Sequence, residues 1–142
     1  MYKKILVPID VLEDALTQKV IPHVECLAKL SNAQVIFFHT LPVASAIVNA
    51  YSFGFDEFKD QATVQTEQWL NSLIDSIDLP RESLSFSIAF GNPRDEILRL
   101  AEEIEPDLII IGSRRPNIST HLLGSNASGV VRGAKTSVLV VR

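Results

Sequence analysis

The residues best suited to chemistry fall in two distant stretches: Pro8-Ile9-Asp10, and Gly112-Ser113-Arg114-Arg115 with Gly124-Ser125-Asn126-Ala127-Ser128. Asp10 directly follows a short apolar run, where its carboxylate can accept hydrogen bonds from a sugar hydroxyl or an amine, or cap the next helix. Pro8 fixes the turn and presents backbone groups that can meet a base edge. Glycine at 112 and 124 lets a ligand approach the backbone closely. Gly124-Ser125 also stands before a short helical pattern, and amides at a helix start have no intrahelical acceptors. Such a place suits a phosphate or plain capping, with Ser125 and Ser128 as hydroxyl donors and Asn126 as a cap.

Charge points to the same end of the chain. The 142 residues carry a net −4, but Leu108 to Arg142 contain no Asp or Glu, while Arg114, Arg115, Arg132, Lys135 and Arg142 give +5. Residues 1 to 107 hold the other 8 basic and all 17 acidic side chains, a balance of −9. Either this segment is where an anion, if bound, is met, or surface arginines fall together there by chance; the acidic whole argues against a general nucleic-acid binder. Length and a 46% hydrophobic content suit one domain, residues 1 to 142. No apolar run approaches the ~20 residues that cross a bilayer, and Lys3-Lys4 precede a run too short for a secretion signal, so a cytoplasmic location with no membrane partner is expected. A single cysteine, Cys26, forms no internal disulfide, and three scattered histidines give no zinc spacing, so no metal site is expected.

Hydrophobic periodicity supplies the elements that must position these residues. Strands are expected at Lys4 to Val7, Val35 to His39, Leu84 to Phe90, Asp107 to Ile111 and Ser137 to Val141. Helices are expected at about 13–30 on Leu16, Val20, Val24 and Leu27, with a kink at Pro22, and at about 57–77 on Phe58, Ala62, Trp69, Leu73 and Ile77. A third starts at Asn92-Pro93 and buries Ile97, Leu98, Ala101 and Ile104; a fourth spans about 126–133. Ser85 and Ser87 between apolar residues mark an edge strand, whereas the unbroken apolar run of strand 4 marks a central one.

Five strands alternating with four helices give an α/β fold, a three-layer α/β/α sandwich with a parallel sheet in the order 3-2-1-4-5. In that order a crevice opens between the carboxyl ends of strands 1 and 4, where the two stretches meet. The sequence has neither a Walker A loop nor a Gly-x-Gly-x-x-Gly fingerprint after strand 1. It also lacks a receiver-type Asp after strand 3, which ends in Ala89-Phe90-Gly91.

Lys4 to Asp10, Gly91-Asn92-Pro93, Gly112-Ser113 through Gly124-Ser125 and the closing Ser137 to Val141 together resemble the universal stress protein family over the whole chain. Arg115-Pro116 after strand 4 is similar to its compact bacterial subgroup of F and G types. The resemblance implies an adenine nucleotide alpha hydrolase-like, Rossmann-like fold in a cytoplasmic dimer that binds ATP, with or without Mg2+, and serves stress responses. It implies that Pro8, Ile9 and Asp10 surround adenine and ribose, that Thr40 closes the base pocket, and that Gly112, Ser113, Gly124, Ser125, Asn126 and Ala127 lie at the phosphates. The family's ATP-binding motif is Gly-x-x-Gly, nine residues, then Gly-Ser; here Arg115 replaces the second glycine and eight residues, Pro116 to Leu123, intervene. Arg114 and Arg115 are added as phosphate ligands from charge alone, and His121 either approaches the phosphates or sits on the surface.

Strand 5 offers Val138-Leu139-Val140-Val141 at a sheet edge, so Ser137 to Val141 are expected to pair with a second copy, as family dimers do, and dimers can pair further into tetramers. Residues 41–56 form a long apolar connection whose Tyr51, Phe53 and Phe55 cover the pocket, support assembly or pack on the core. No metal-binding carboxylate pair with a base surrounds Gly112 and Gly124, so at most slow hydrolysis is expected, with no catalytic residue. The competing expectation is a dimeric interaction module whose crevice is closed by Arg115 or holds a small anion.

Overall fold

The computed structural model describes residues 1–42, 55–114 and 123–142. In chain order they form β1 (Lys4–Pro8), α1 (Asp14–Ser31), β2 (Gln34–Leu41), α2 (Phe55–Ser76), β3 (Leu84–Phe90), α3 (Pro93–Ile104), β4 (Leu108–Gly112), α4 (Ser125–Gly133) and β5 (Ser137–Val141). The strands make one parallel sheet in the order β3-β2-β1-β4-β5, the order that the alternation of elements implies. β1 is paired on both edges: Ile5 lies opposite Val35 and Leu108, and Leu6 opposite Ile36 and Ile109.

Helices cover both faces. Val20, Val24 and Ala28 of α1 and Leu70, Leu73 and Ile74 of α2 pack on Ile5, Val7, Val35, Phe37 and Ile110. Ile97 and Leu100 of α3 with Ala127 and Val130 of α4 cover Leu6, Phe38, Ile109 and Ile111. Each fully buried Leu, Ile or Phe contributes about 1.5–3 kcal/mol relative to exposure. β4 is buried along four of its five residues, as a central strand requires, and β3 lies at the edge.

The helix faces are rotated from the sequence expectation by about one residue. α1 buries Thr17, Val20, Val24 and Ala28, leaving Leu16 and Leu27 half-buried at the margin. Thr17 tolerates burial because its hydroxyl donates to the Glu13 carbonyl at 3.2 Å. Leu16 leans instead over Gly112, where an added Cβ would lie 2.6 Å from its Cγ. α2 buries Thr66, Leu70 and Leu73, with Ile77 buried just past its end and Trp69 half-buried; the Phe58 side chain lies outside what is described. α1 continues through Pro22 to Ser31.

α3 starts as its sequence dictates: Asn92 Oδ1 accepts the Asp95 amide at 3.2 Å, and Pro93 takes the first helical position. Before it, Gly91 has φ +147°, a value that side-chain-bearing residues rarely adopt. α4 corrects one expectation. It begins at Ser125, so Gly124 is its N-cap residue and Asn126, in the first turn, does not cap it. α4 lies close against α3, because a Cβ at Gly129 would overlap Arg94 Cδ and one at Gly133 would come within 2.7 Å of Leu98 Cδ1.

At the opposite end of the sheet, Asp107 Oδ2 accepts the Lys3 and Lys4 amides at 2.8 and 2.9 Å, fastening the start of β1 to the start of β4. These two backbone donors, and the lysine charges, hold the carboxyl below the ordinary value of 3.8. A lowered carboxylate pKa stabilises the fold above the unfolded value, and that contribution fades as pH falls through the folded one. Asp107→Asn should therefore lower the urea midpoint at pH 7 and converge with the parent at about pH 2. An equal deficit at both pH values would contradict this reading.

Candidate functional site

Because the connection leaves β1 on one side and β4 on the other, the carboxyl ends of these strands part, and a cavity of about 410 Å³ opens between them. Hydrogen bonds fix its first wall. The Ile9 amide donates to the Phe38 carbonyl at 2.8 Å, and His39 Nδ1 lies 3.1 Å from the Ile9 carbonyl. A carbonyl only accepts, so the His39 proton in this contact sits on Nδ1. Asp10 Oδ1 accepts the Leu12 amide at 2.9 Å, and the Asp10 carbonyl accepts the Glu13 amide at 3.0 Å. Asp10 thus closes its own turn and does not cap α1, whose N-cap residue is Glu13.

The second wall is built around Ser113. Its amide donates to the Val141 carbonyl at 2.7 Å, and its buried hydroxyl accepts the Gly124 amide at 3.0 Å. This strut sets the end of β4 directly against the start of α4. Gly124 must be a glycine here, because a Cβ would lie 2.8 Å from the Arg114 carbonyl oxygen. Past it, α4 begins without a side-chain cap, so the first-turn amides of Ser125, Asn126 and Ala127 look for acceptors outside the helix.

Pro8, Ile9, Asp10, Thr40, Gly112, Arg114, Gly124, Ser125, Asn126 and Ala127, all singled out from sequence, line this one cavity. Ser113 does not; its hydroxyl holds Gly124. Arg115, His121, Tyr51 and Phe53 lie outside the described residues, as does the Phe55 side chain. Sequence reasoning missed Phe38 and Ile111, read only as strand residues, Ile97, read in the buried face of α3, and Pro93, read as a helix start. It also missed His39 and Glu13; for Glu13 no local pattern signals the role.

The walls differ in character. Phe38, Pro93, Ile97 and Ile111 give an apolar surface, while α4 presents amides and the positive end of a helix dipole of about half a charge. Arg114 Nη1 stands 3.0 Å from Glu13 Oε1, joining the rim of one wall to the other. Among the described residues no group of three or more His, Cys, Asp or Glu is arranged to hold a metal ion. The expected consequence of the Gly124 contact is that Gly124→Ala loses about 1–3 kcal/mol in chemical denaturation, because the neighbour is main chain and must shift. Parent-like stability would show that the contact relaxes freely.

Known proteins give the arrangement a family. The model of the universal stress protein family matches residues 1–142. Universal stress protein G of Shigella flexneri is 40% identical over 144 residues, covering 100% of both chains. Among solved structures, MJ0577 of Methanocaldococcus jannaschii superposes with a TM-score of 0.75 at 29% identity, over 99% of this chain and 96% of that one. A universal stress protein in complex with cAMP gives 0.62 at 25% identity, over 99% and 97%. With the family pattern spanning every residue and a full-length relative at 40% identity, this chain belongs to the universal stress protein family.

Proposed function

We propose that this universal stress protein binds ATP or a related adenine nucleotide in the β1/β4 cavity and that occupancy governs its regulatory or protective role under stress. The observation that carries this reading is one space shared by an apolar wall and the uncapped first turn of α4. The first takes a base; the second takes phosphate oxygens. Asp10, held in its turn beside Ile9, accepts from ribose hydroxyls, and Thr40 borders the base. The binding of cAMP by a structural relative supports a nucleotide as the ligand class. Mg2+, where present, comes with the phosphates and neutralises part of their charge. Occupancy and release, with at most slow hydrolysis, are the working states.

The protein works as a cytoplasmic homodimer in this reading. β5 is a sheet edge with half-buried Val138, Leu139 and Val140, and antiparallel pairing of Ser137 to Val141 across a twofold axis satisfies that edge. Among the described residues no helix is long and apolar enough to cross a membrane.

Titration calorimetry of nucleotide-stripped protein should show saturable ATP binding, weakened about tenfold by Asp10→Ala, the loss expected for one hydrogen bond. Absence of heat and of thermal stabilisation by ATP would reject the nucleotide reading in favour of a module holding only a small anion. Sedimentation equilibrium tests assembly separately: a mass twice the 15.7 kDa of the chain is expected, and a monomer at tens of micromolar, about 10–100 μM, would reject the β5 pairing.

A further inference from the structure

Glu13 is the N-cap residue of α1, yet its side chain makes no capping bond. It reaches across the cavity rim to Arg114, Oε1 to Nη1 at 3.0 Å. Arg114 is the described basic side chain on the wall, and its main-chain carbonyl lies against Gly124 at the start of α4. The ion pair offsets part of its charge. With Asp10 and Glu13 both on the wall against a single arginine, the described wall carries net negative charge. The first turn of α4 adds a positive field of about half an elementary charge, less than the charge that a polyphosphate brings.

We propose that Glu13 sets the charge preference of the cavity, disfavouring polyphosphates relative to nucleotides of lower charge by holding Arg114 and adding its own carboxylate beside the phosphate path. This rests on the nucleotide reading above and deepens it. A triphosphate must compete with Glu13 for the guanidinium, whereas a nucleoside or monophosphate leaves the pair intact. The effect is electrostatic, so it weakens with salt.

The test is calorimetric affinity for adenosine, AMP and magnesium-free ATP, measured for the parent, Glu13→Gln, Arg114→Gln and the double variant. Glu13→Gln should raise the ratio of ATP to adenosine affinity by about threefold to tenfold, AMP less, and the gain should shrink with added salt. The double variant should lose the gain, since it lacks the released guanidinium. Arg114→Gln alone should lower the ratio by a similar factor, because it leaves the Glu13 carboxylate unpaired beside the phosphates. An unchanged ratio in Glu13→Gln, or an unchanged or raised ratio in Arg114→Gln alone, overturns this proposal while leaving nucleotide binding standing. Failure of every form to bind any of the three ligands overturns the nucleotide reading and this proposal together.

Discussion

The pairing of β1 with strands on both of its edges is the constraint on which the site depends. Ile5 and Leu6 are locked between Val35-Ile36 and Leu108-Ile109, so the strand has no freedom of register and its end is fixed to within a side chain. The chain goes to one side of β1 through α1 and later returns to the other through α3. A gap at the carboxyl ends of β1 and β4 therefore follows from connectivity before any ligand is considered. Asp107, bridging the amides of Lys3 and Lys4, secures the same two strands at the other end.

What fills that gap is decided by close approach. Ser113 draws Gly124 onto the end of β4, and Gly129 and Gly133 let α4 settle against Arg94 and Leu98 of α3. Together they aim the first turn of α4 into the cavity. Larger residues at these glycines would lift the helix and separate its amides from the apolar wall. Gly124 belongs to both sets: it resembles part of a phosphate motif and also lets the start of α4 sit against the end of β4.

Much of this is legible in the sequence, for reasons that particular residues make plain. The unbroken run Leu108 to Ile111 marks a central strand, and the serine alternation of β3 marks an edge. From those the order of the sheet, the position of the gap and the convergence of Asp10 with Gly124 follow. Asn92-Pro93 announces α3 because capping is a local interaction. What escapes is set by geometry over long separations or by rotation about a helix axis. The pair Glu13 with Arg114 joins residues about a hundred positions apart, and no periodicity encodes it. Ser113 reads as a ligand by motif, yet the fold gives its hydroxyl to Gly124. Thr17 outranks Leu16 for burial because Gly112 leaves room for Leu16 at the margin and the Glu13 carbonyl satisfies the threonine.

In the proposed function one cavity receives a base on its apolar wall and a phosphate on the first turn of α4. Backbone amide shifts of isotope-labelled protein during titration with AMP examine both halves at once. Binding in this cavity requires the largest perturbations at Ser125, Asn126 and Ala127 together with Ile9 and Asp10, saturating at a common concentration. Shifts confined to other surfaces, or to one of these segments without the other, would contradict it.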